Sequence, residues 1–241
     1  MIGITFAGRS NIMLGRKARK IFTGTDGMEK FFPKEKILIT GNPVRTTIAA
    51  STVSRNEGLK FFSLNETKKT VLVVGGSLGA KSINEAIDKG LDDLLNQNLQ
   101  LIWQTGKPYS AKAKERTNGK QAVRVNEFIT QMEYAYAAAD IVVARSGAMT
   151  VAELCVAKKP VLFVPYPFAA EDHQTVNAMQ LVNKNAALMV KDSETKQKLM
   201  FMTIELAKDE SKQDELRKNI AALAIADADM KIAGEVLRSI S

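Results

Sequence analysis

The alternation of short apolar runs with helical patterns after residue 70 most constrains what this chain can fold into. TVLVVGG (70–76) is a continuous run of aliphatic residues, as expected for a strand buried on both faces. Residues 80–96 then place aliphatic side chains at helical spacing. This rhythm continues and predicts an α/β fold built on a doubly wound parallel sheet. Further strands are predicted within 99–106, 121–128, 140–147 and 160–167, and further helices within 130–139, 148–158, 174–184, 195–208, 211–224 and 229–240.

The residues before this pattern are too few to bury a core of their own. They predict a helix from Ser10 to about Arg19 and a strand at 37–40. GNPVR (41–45) follows, and the proline pushes the residue before it out of helical conformation. We interpret this pentapeptide as a hinge or linker. Further along, Thr130 and Glu133 have the spacing of a capping box that would open the helix ending near 139.

Composition excludes several classes of protein. Apolar residues make up 45% of the 241 and charged residues 25%, as in an ordinary globular protein. The only cysteine, Cys155, excludes an internal disulfide and fits a reducing compartment, and its helical spacing with Val151 predicts a core position. No secretory signal and no membrane-spanning apolar run is recognisable, so we expect a cytosolic-type protein. No Cys/His cluster has metal-ligand spacing, so we predict no metal.

The net charge of +8 favours anionic partners such as phosphates, nucleic acid or acidic lipid. The basic residues are scattered, and their densest group lies on the short N-terminal helical stretch. We interpret that stretch as a solvated helix face, with contact to an anionic membrane surface as the alternative. The group comprises Arg9, Arg16, Lys17, Arg19 and Lys20.

GGSLGA (75–80) leaves a buried strand and enters a helix. Gly75 and Gly76 allow the backbone to turn tightly and approach a ligand, and Ser77 offers a hydroxyl beside a helix N-terminus. The segment therefore suits a phosphate or pyrophosphate, the alternative being a tight turn without a ligand. It lacks the Lys-Ser/Thr pair of a P-loop. A dinucleotide fold would need an acid where the next strand ends in Trp-Gln-Thr (103–105), which disfavours an oxidoreductase.

RSGAMTVAE (145–153) repeats the strand–turn–helix pattern, with Ser146 and Gly147 at the turn. Glu153 lies in the first two turns of the helix and can accept two hydrogen bonds from a ribose diol. The alternative is an acid that only stabilises the helix N-terminus. Gln174 and Asn177 are polar and expected outside the core. Gln174 and His173 could face a sugar, although we interpret His173 as a solvated loop residue.

Taken together, GNPVR, VVGGSLGA, EFI, AAADIVVARSGAMTVAE and PVLFVPYPFAAEDHQTVNA resemble the MurG family of peptidoglycan glycosyltransferases. The resemblance runs in order from about residue 10 to 190. It implies the GT-B arrangement, in which two Rossmann-like domains face each other across a cleft and the C-terminal one holds the donor. It also implies inverting transfer of N-acetylglucosamine from UDP-N-acetylglucosamine to undecaprenyl-pyrophosphoryl-muramyl-pentapeptide, with the donor a substrate and no cofactor.

The resemblance carries site roles onto matching positions. Arg45 and Ser77 would contact the donor's phosphates. Phe128 and Ile129 would flank the uracil, with backbone groups of Ile129 reading its edge. Glu153 would take the ribose hydroxyls. Ala148, Met149 and Thr150 would line the turn by the diphosphate and sugar, and Gln174 would hold the sugar hydroxyls. The resemblance extends the donor-binding set to further positions nearby, namely Val151, Ala152, Gly76, Gly147, His173 and Asn177.

The chain departs from the family pattern at its start, because the GGTGGH-type loop and HEQN-type segment are not found. We therefore expect an N-terminally truncated member that binds donor but transfers poorly or not at all alone. The catalytic base and the lipid acceptor site would belong to the missing domain. We divide the chain into a remnant of the N-terminal acceptor domain with its linker, a UDP-sugar-binding domain, and helices packing back toward the N-terminal domain. These parts span residues 1–42, 43–210 and 211–241.

The expected partners are UDP-N-acetylglucosamine, the lipid acceptor through the missing domain, an anionic membrane surface and cell-wall synthesis proteins, but no nucleic acid. The expected location is the cytoplasmic face of the plasma membrane, peripherally, or the cytoplasm for a fragment. Two alternatives stay open. One is another GT-B transferase or a UDP-sugar epimerase on the same scaffold. The other is a non-catalytic nucleotide-binding or docking module.

Overall fold

A computed structural model describes residues 7–240, except for the side chains of Arg9 and Ile240. Residues 1–6 of the predicted N-terminal segment, Ser241 and the Arg9 side chain of the predicted basic face lie outside the described residues. A parallel six-stranded sheet in the order β5-β4-β3-β6-β7-β8 forms the centre. The strands are β3 (Thr70–Val74), β4 (Gln100–Gln104), β5 (Val123–Asn126), β6 (Ile141–Ala144), β7 (Val161–Phe163) and β8 (Leu188–Met189), and a separate parallel pair comprises β1 (Ile21–Thr23) and β2 (Ile37–Ile39).

Helices cover both faces of the six-stranded sheet, which confirms the predicted doubly wound α/β fold. Most predicted helices lie within two residues of their expected bounds; β1, α2, α3, α5 and β8 were not predicted. The helices are α1 (Arg9–Lys17), α2 (Thr46–Ala49), α3 (Arg55–Phe61), α4 (Lys81–Asn96), α5 (Lys107–Arg116), α6 (Met132–Ala138), α7 (Ala148–Ala157), α8 (His173–Val182), α9 (Thr195–Lys208), α10 (Glu210–Ala221) and α11 (Ala228–Ile240).

The central strand β3 shows why an uninterrupted apolar run is needed here. Val71 and Val73 point into one core cluster and Leu72 into the other, because side chains alternate across a sheet. The first cluster is closed by α4 and α9, and the second by α3, α6, α7 and α8. Both faces of β3 are therefore buried, which leaves the end of the strand as the part that a ligand can approach.

The N-terminal segment forms a small cluster of its own beside the sheet domain. Residues 41–45 are irregular, as predicted, but Val44 belongs to the main core and Gly41 packs against Ile225. The Thr25 hydroxyl also donates to Oε1 of Gln180 on α8 at 3.2 Å. The N-terminal cluster contains Ala7, Ile21, Met28 and Phe32.

The C-terminal helices begin on the sheet domain. On α10, Leu216 and Ile220 are fully buried, one in each main cluster, and the Gln213 amide donates to the carbonyls of Leu206 and Ala207. After α10 the chain returns to Gly41 through Ile225. The predicted division at 42 and 210 stays a prediction.

One local prediction is wrong. Helix α6 starts at Met132 with Gln131, not Thr130, in the N-cap position, and it has no side-chain cap. The Thr130 hydroxyl donates to Oε1 of Gln131 at 2.6 Å. A capping box does occur at the start of α3, where Ser54 and Glu57 bond to each other's backbone amides. Within residues 7–240, no helix is long and apolar enough to span a membrane.

Candidate functional site

The two glycine-containing loops lie side by side at the carboxyl edge of the sheet. Strand β3 pairs with β6 in register Val74 to Ala144, and each strand runs directly into its loop. From β3 the chain builds outward through β4 and β5, then returns to the other side of β3 for β6, β7 and β8. The strand order thus reverses between β3 and β6, where open α/β sheets form a crevice for ligands.

The Gly75–Ala80 loop is shaped by its glycines. Gly76 and Gly79 have φ of 88° and 78°, a region that favours glycine. At Gly79 a Cβ would lie 2.0 Å from the carbonyl oxygen of Thr105, so the loop packs backbone against backbone on the end of β4. The loop tip, including Ser77, is left exposed. Ser77 is therefore available to a ligand, as its predicted role requires.

Two helix N-termini meet this crevice. Helix α4 starts after Ala80 and α7 after Gly147, and neither has a side-chain cap or an acid in its first turn. Their first amides therefore remain as donors, with the positive ends of two helix dipoles beside them. This arrangement favours an anion such as a diphosphate.

Glu153 is brought together with Arg45, although the two were predicted to contact different parts of a donor. Arg45 Nε and Nη2 both lie 3.2 Å from Oε1 of Glu153. The Tyr136 hydroxyl donates to Oε2 at 3.0 Å. Burial, and then the charge of Glu153, raises the pKa of Tyr136 well above its ordinary value, so the phenol remains a donor at neutral pH. The carboxylate is thus held from both sides.

Gln104 joins two of the predicted site loops. In the sequence it served only to show that the strand does not end in the acid that a dinucleotide fold would need. Its Nε2 donates to the Gly76 carbonyl at 3.1 Å, and its Oε1 accepts from the Ile129 amide at 2.9 Å. The Ile129 amide, predicted to read the uracil edge, is therefore bonded to Gln104 in this structure. A glutamine at a strand end does not reveal this role in the sequence, because the role depends on which backbone groups the fold brings next to its side chain.

Arg145 is a second residue missed in the sequence. Its Nη1 donates to the carbonyls of Val164 and Pro165, both at 2.9 Å, and forms an ion pair with Asp192 at 2.6 Å. Its guanidinium also lies over the Tyr166 ring, 5.5 Å from the centroid. Arg145 thus fixes the exit of β7 against the second loop. The only signal was its place at the end of a strand, beside the turn.

The second loop also fixes the start of α8. The buried Ser146 hydroxyl donates to the Gln174 carbonyl at 2.7 Å, and Oε1 of Gln174 accepts from the Tyr166 amide at 3.0 Å. Asn177 is 4% exposed and donates to the Ser146 carbonyl at 3.0 Å, so its predicted position outside the core is wrong. An amide side chain is buried here because it pairs with a buried backbone carbonyl. The His173 ring contacts the Ala170 carbonyl through Nδ1 at 2.7 Å.

The predicted stretch 148–153 divides between two faces of α7. Val151 and Ala152 line a cavity of 330 Å³ between the N-terminal segment, α8 and the Ala222–Ile225 segment. Cys155 lines the same cavity and is buried, as predicted, which raises the pKa of its thiol to about 12. Several large apolar side chains are exposed on the segments that follow the strands. They are Leu78, Phe128, Met149, Tyr166 and Phe168.

The arrangement can bind an anion beside a carboxylate that accepts hydrogen bonds. Uncapped helix amides and the Ser77 hydroxyl offer donors, and Glu153 offers acceptors within the same crevice. Over the part of the chain that the structure describes, no group of three or more His, Cys, Asp or Glu side chains is placed to hold a metal ion.

Comparison with known proteins gives consistent matches. One relative is the UDP-N-acetylglucosamine--N-acetylmuramyl-(pentapeptide) pyrophosphoryl-undecaprenol N-acetylglucosamine transferase of Flavobacterium psychrophilum, 45% identical over 97% of this chain. The chain spans 64% of that relative's length. The crystal structure of Acinetobacter baumannii MurG matches with a TM-score of 0.78 and 26% identity, over 98% of this chain and 65% of the other.

A UDP co-structure of S. aureus MnaA matches with a TM-score of 0.70 and 17% identity, over 95% of this chain and 63% of that chain. At this identity the likeness concerns the fold alone. Residues 70–232 match the glycosyltransferase family 28 C-terminal domain, which covers the six-stranded sheet and both loops. These matches confirm the resemblance drawn from the motifs. The chain therefore belongs to glycosyltransferase family 28.

Proposed function

We propose that this chain carries the donor-binding half of an enzyme that transfers N-acetylglucosamine from its UDP donor to undecaprenyl-pyrophosphoryl-muramyl-pentapeptide. The observation that carries the proposal is the meeting of the two loops at the point where the strand order reverses, in a chain 45% identical to a relative named for that reaction. The reaction is an inverting displacement at the anomeric carbon, in which UDP leaves and a base takes the acceptor's proton.

The donor groups can be assigned to the crevice. The diphosphate would lie at Ser77 and the N-termini of α4 and α7, where developing negative charge on the leaving group is stabilised without a metal. The ribose would lie at Glu153, and the uracil beside Phe128 and Ile129. Gln174 would hold sugar hydroxyls with the part of its amide that does not bond Tyr166.

Titration calorimetry with UDP tests the binding step. We expect saturable binding of UDP, with CDP weaker because the Phe128–Ile129 segment reads the base. Glu153→Ala should weaken UDP binding by at least tenfold, whereas Glu215→Ala, in an exposed ion pair with Lys212 on α10, should leave it unchanged. No heat of binding at millimolar UDP would contradict the proposal.

Transfer to an acceptor analogue tests the catalytic step. With UDP-N-acetylglucosamine and a lipid-linked muramyl-pentapeptide analogue, we expect little or no product from this chain alone, because the Glu153 carboxylate at the crevice is already bonded to Arg45 and Tyr136 and is not placed to take the acceptor's proton. Product analysis separates the alternatives, since an epimerase would convert the donor without any acceptor. A docking module would keep its partner when Glu153→Ala weakens nucleotide binding.

We also propose a peripheral contact with anionic membrane through α1 and the residues after it. Met13 and Leu14 are 66% and 65% exposed, and Arg16 and Lys17 in the last turn of α1 are exposed beside them. An apolar pair flanked by basic residues suits an anionic interface. Co-sedimentation with phosphatidylglycerol vesicles, but not with phosphatidylcholine vesicles, is the expected result, and Leu14→Glu should reduce it.

A further inference from the structure

We infer that Tyr136 and Arg45 are positioning residues that share the two oxygens of Glu153 and thereby make the donor site selective for a ribose with both hydroxyls. The inference rests on the proposed function, because it assigns the ribose to Glu153. It changes the predicted role of Arg45, whose guanidinium was expected to act on the phosphates.

The Tyr136 contact comes from inside the protein. Tyr136 is 3% exposed, and its ring belongs to the core cluster under α6 and α7. Its hydroxyl reaches Oε2 of Glu153 at 3.0 Å. Because the Tyr136 ring is packed in the core, the direction of its hydroxyl is fixed. The hydrogen bond therefore restrains rotation of the Glu153 carboxylate about its final side-chain torsion.

The Arg45 contact comes from the solvent side. The Arg45 side chain is 46% exposed and the Glu153 side chain 13% exposed, and the guanidinium approaches Oε1 through two nitrogens. Arg45 directly precedes α2, so the contact also ties the irregular 41–45 segment to α7. A charged donor on one oxygen and a buried phenol on the other hold the Glu153 carboxylate in one orientation.

The held carboxylate still has capacity for a ligand. An ionised carboxylate has about four acceptor directions, and Tyr136 and Arg45 together occupy the near side of each oxygen. One further direction on each oxygen is enough for the 2′- and 3′-hydroxyls of a ribose. A diol needs both oxygens at fixed positions, so loss of either positioning contact should affect the diol more than the rest of the nucleotide.

The test compares UDP with 2′,3′-dideoxy-UDP in titration calorimetry. Both ligands carry the same base and diphosphate, so the ratio of their affinities isolates the ribose hydroxyls from any phosphate contact. For Tyr136→Phe we expect UDP binding to weaken about tenfold, and dideoxy-UDP binding to change less than about twofold. Tyr134→Phe is the matched control, because Tyr134 lies on the same helix and stacks on Phe61 instead.

A second variant tests the same role without changing a buried side chain. Arg45→Ala changes a half-exposed side chain and should also reduce the ratio of UDP to dideoxy-UDP affinity, even if Tyr136→Phe fails to fold. In a Glu153→Ala background, Tyr136→Phe should have no further effect on UDP binding, since its action runs through the carboxylate. A merely structural role would still lower affinity in that background.

The outcomes separate the two proposals. If the unmodified chain binds neither nucleotide, the proposed function fails. If it binds UDP and prefers it to dideoxy-UDP, but both variants keep that preference, the positioning role of Tyr136 and Arg45 is overturned. A preference that falls in both variants, and not in Tyr134→Phe, supports the inference.

Discussion

At the scale of single residues, the shape of the candidate site depends on side chains that form hydrogen bonds to the backbone of its loops. Gln104 is the clearest case, because its amide spans from the Gly76 carbonyl to the Ile129 amide. Gln100, at the other end of the same strand, bonds the Asn65 backbone and the Thr70 hydroxyl in the same way. The two glutamines therefore form a natural comparison, one beside the crevice and one away from it.

Replacing Gln104 with methionine should weaken both stability and binding. The change leaves the buried Ile129 amide without its acceptor and removes one of the two hydrogen bonds to the Gly76 carbonyl, which costs about 1–3 kcal/mol in the free energy of unfolding. It should also lower UDP affinity by about tenfold, because the phosphate and uracil loops lose their shared brace. Denaturant unfolding and titration calorimetry measure the two effects.

Gln100→Met is the control for this substitution. We expect a similar loss of stability, since Gln100 is fully buried, with UDP affinity unchanged. An equal fall in affinity for both variants would mean that Gln104 acts only through overall stability.

Lys159 predicts a pH dependence. Its ammonium donates to the carbonyls of Ala139 at 2.8 Å and Ala137 at 3.5 Å, near the end of α6, and burial lowers its pKa to about 8. The folded pKa lies below the unfolded value of 10.5, so the stability this group contributes is present above pH 10.5 and lost as pH falls through about 8.

The unfolding free energy of the unmodified chain, minus that of Lys159→Met, should therefore rise with pH. Between pH 7 and pH 10 we expect an increase of about 2 kcal/mol, from denaturant unfolding at a series of pH values. Lys158→Met, which removes the exposed neighbouring ammonium, controls for the loss of a positive charge. A difference that stays constant or falls across this range would contradict the burial of the Lys159 charge.

At the scale of elements, the loop after β3 predicts a sharp difference between two glycines. Gly79 and Gly119 have nearly the same φ, 78° and 74°, but a Cβ at Gly79 would meet the Thr105 carbonyl at 2.0 Å, while a Cβ at Gly119 meets nothing within 4 Å. Gly119→Ala should cost about 1–2 kcal/mol of unfolding free energy, the cost of the left-handed conformation. Gly79→Ala should cost about 3 kcal/mol or more and lower UDP affinity at least about tenfold.

Thermal unfolding and calorimetry of these two variants measure the cost of the contact between loop and strand directly. Similar losses in both would show that only backbone conformation matters at Gly79. Retained UDP binding in Gly79→Ala would show that the close approach to Thr105 does not shape the phosphate site.

The elements also show what sequence patterns can and cannot reveal here. The run Val71–Val74 predicted its strand because burial on both faces demands apolar residues throughout, and the glycines after it predicted the turn. The pairing of Arg45 with Glu153 could not be predicted, because it joins positions more than 100 residues apart through packing of α2 on α7. The wrong capping box at Thr130 had the right spacing, but the helix begins after Gln131, so Thr130 does not occupy the N-cap position.

At the scale of the whole molecule, the net charge of +8 should act on an anionic ligand before any specific contact forms. Raising salt from about 50 mM to about 500 mM should weaken UDP binding by several-fold, because screening shortens the reach of the field. Uridine has the same base and ribose without phosphates, so its affinity should change less than about twofold. Calorimetry at several salt concentrations measures both, and equal salt dependence would contradict the field effect.

The strand order also governs how the chain can assemble while it is being synthesised. β3 gains β4 as a neighbour early, but its other neighbour, β6, emerges only after α5, β5 and α6. Until then the backbone N–H and C=O groups along one edge of β3 are unpaired and can bond to a wrong partner. The loop at 75–80 likewise lacks its neighbour until the turn at 146–147 has been synthesised. A nascent chain that ends before β6 therefore presents an unpaired edge of β3 and lacks the second of the two loops that form the crevice.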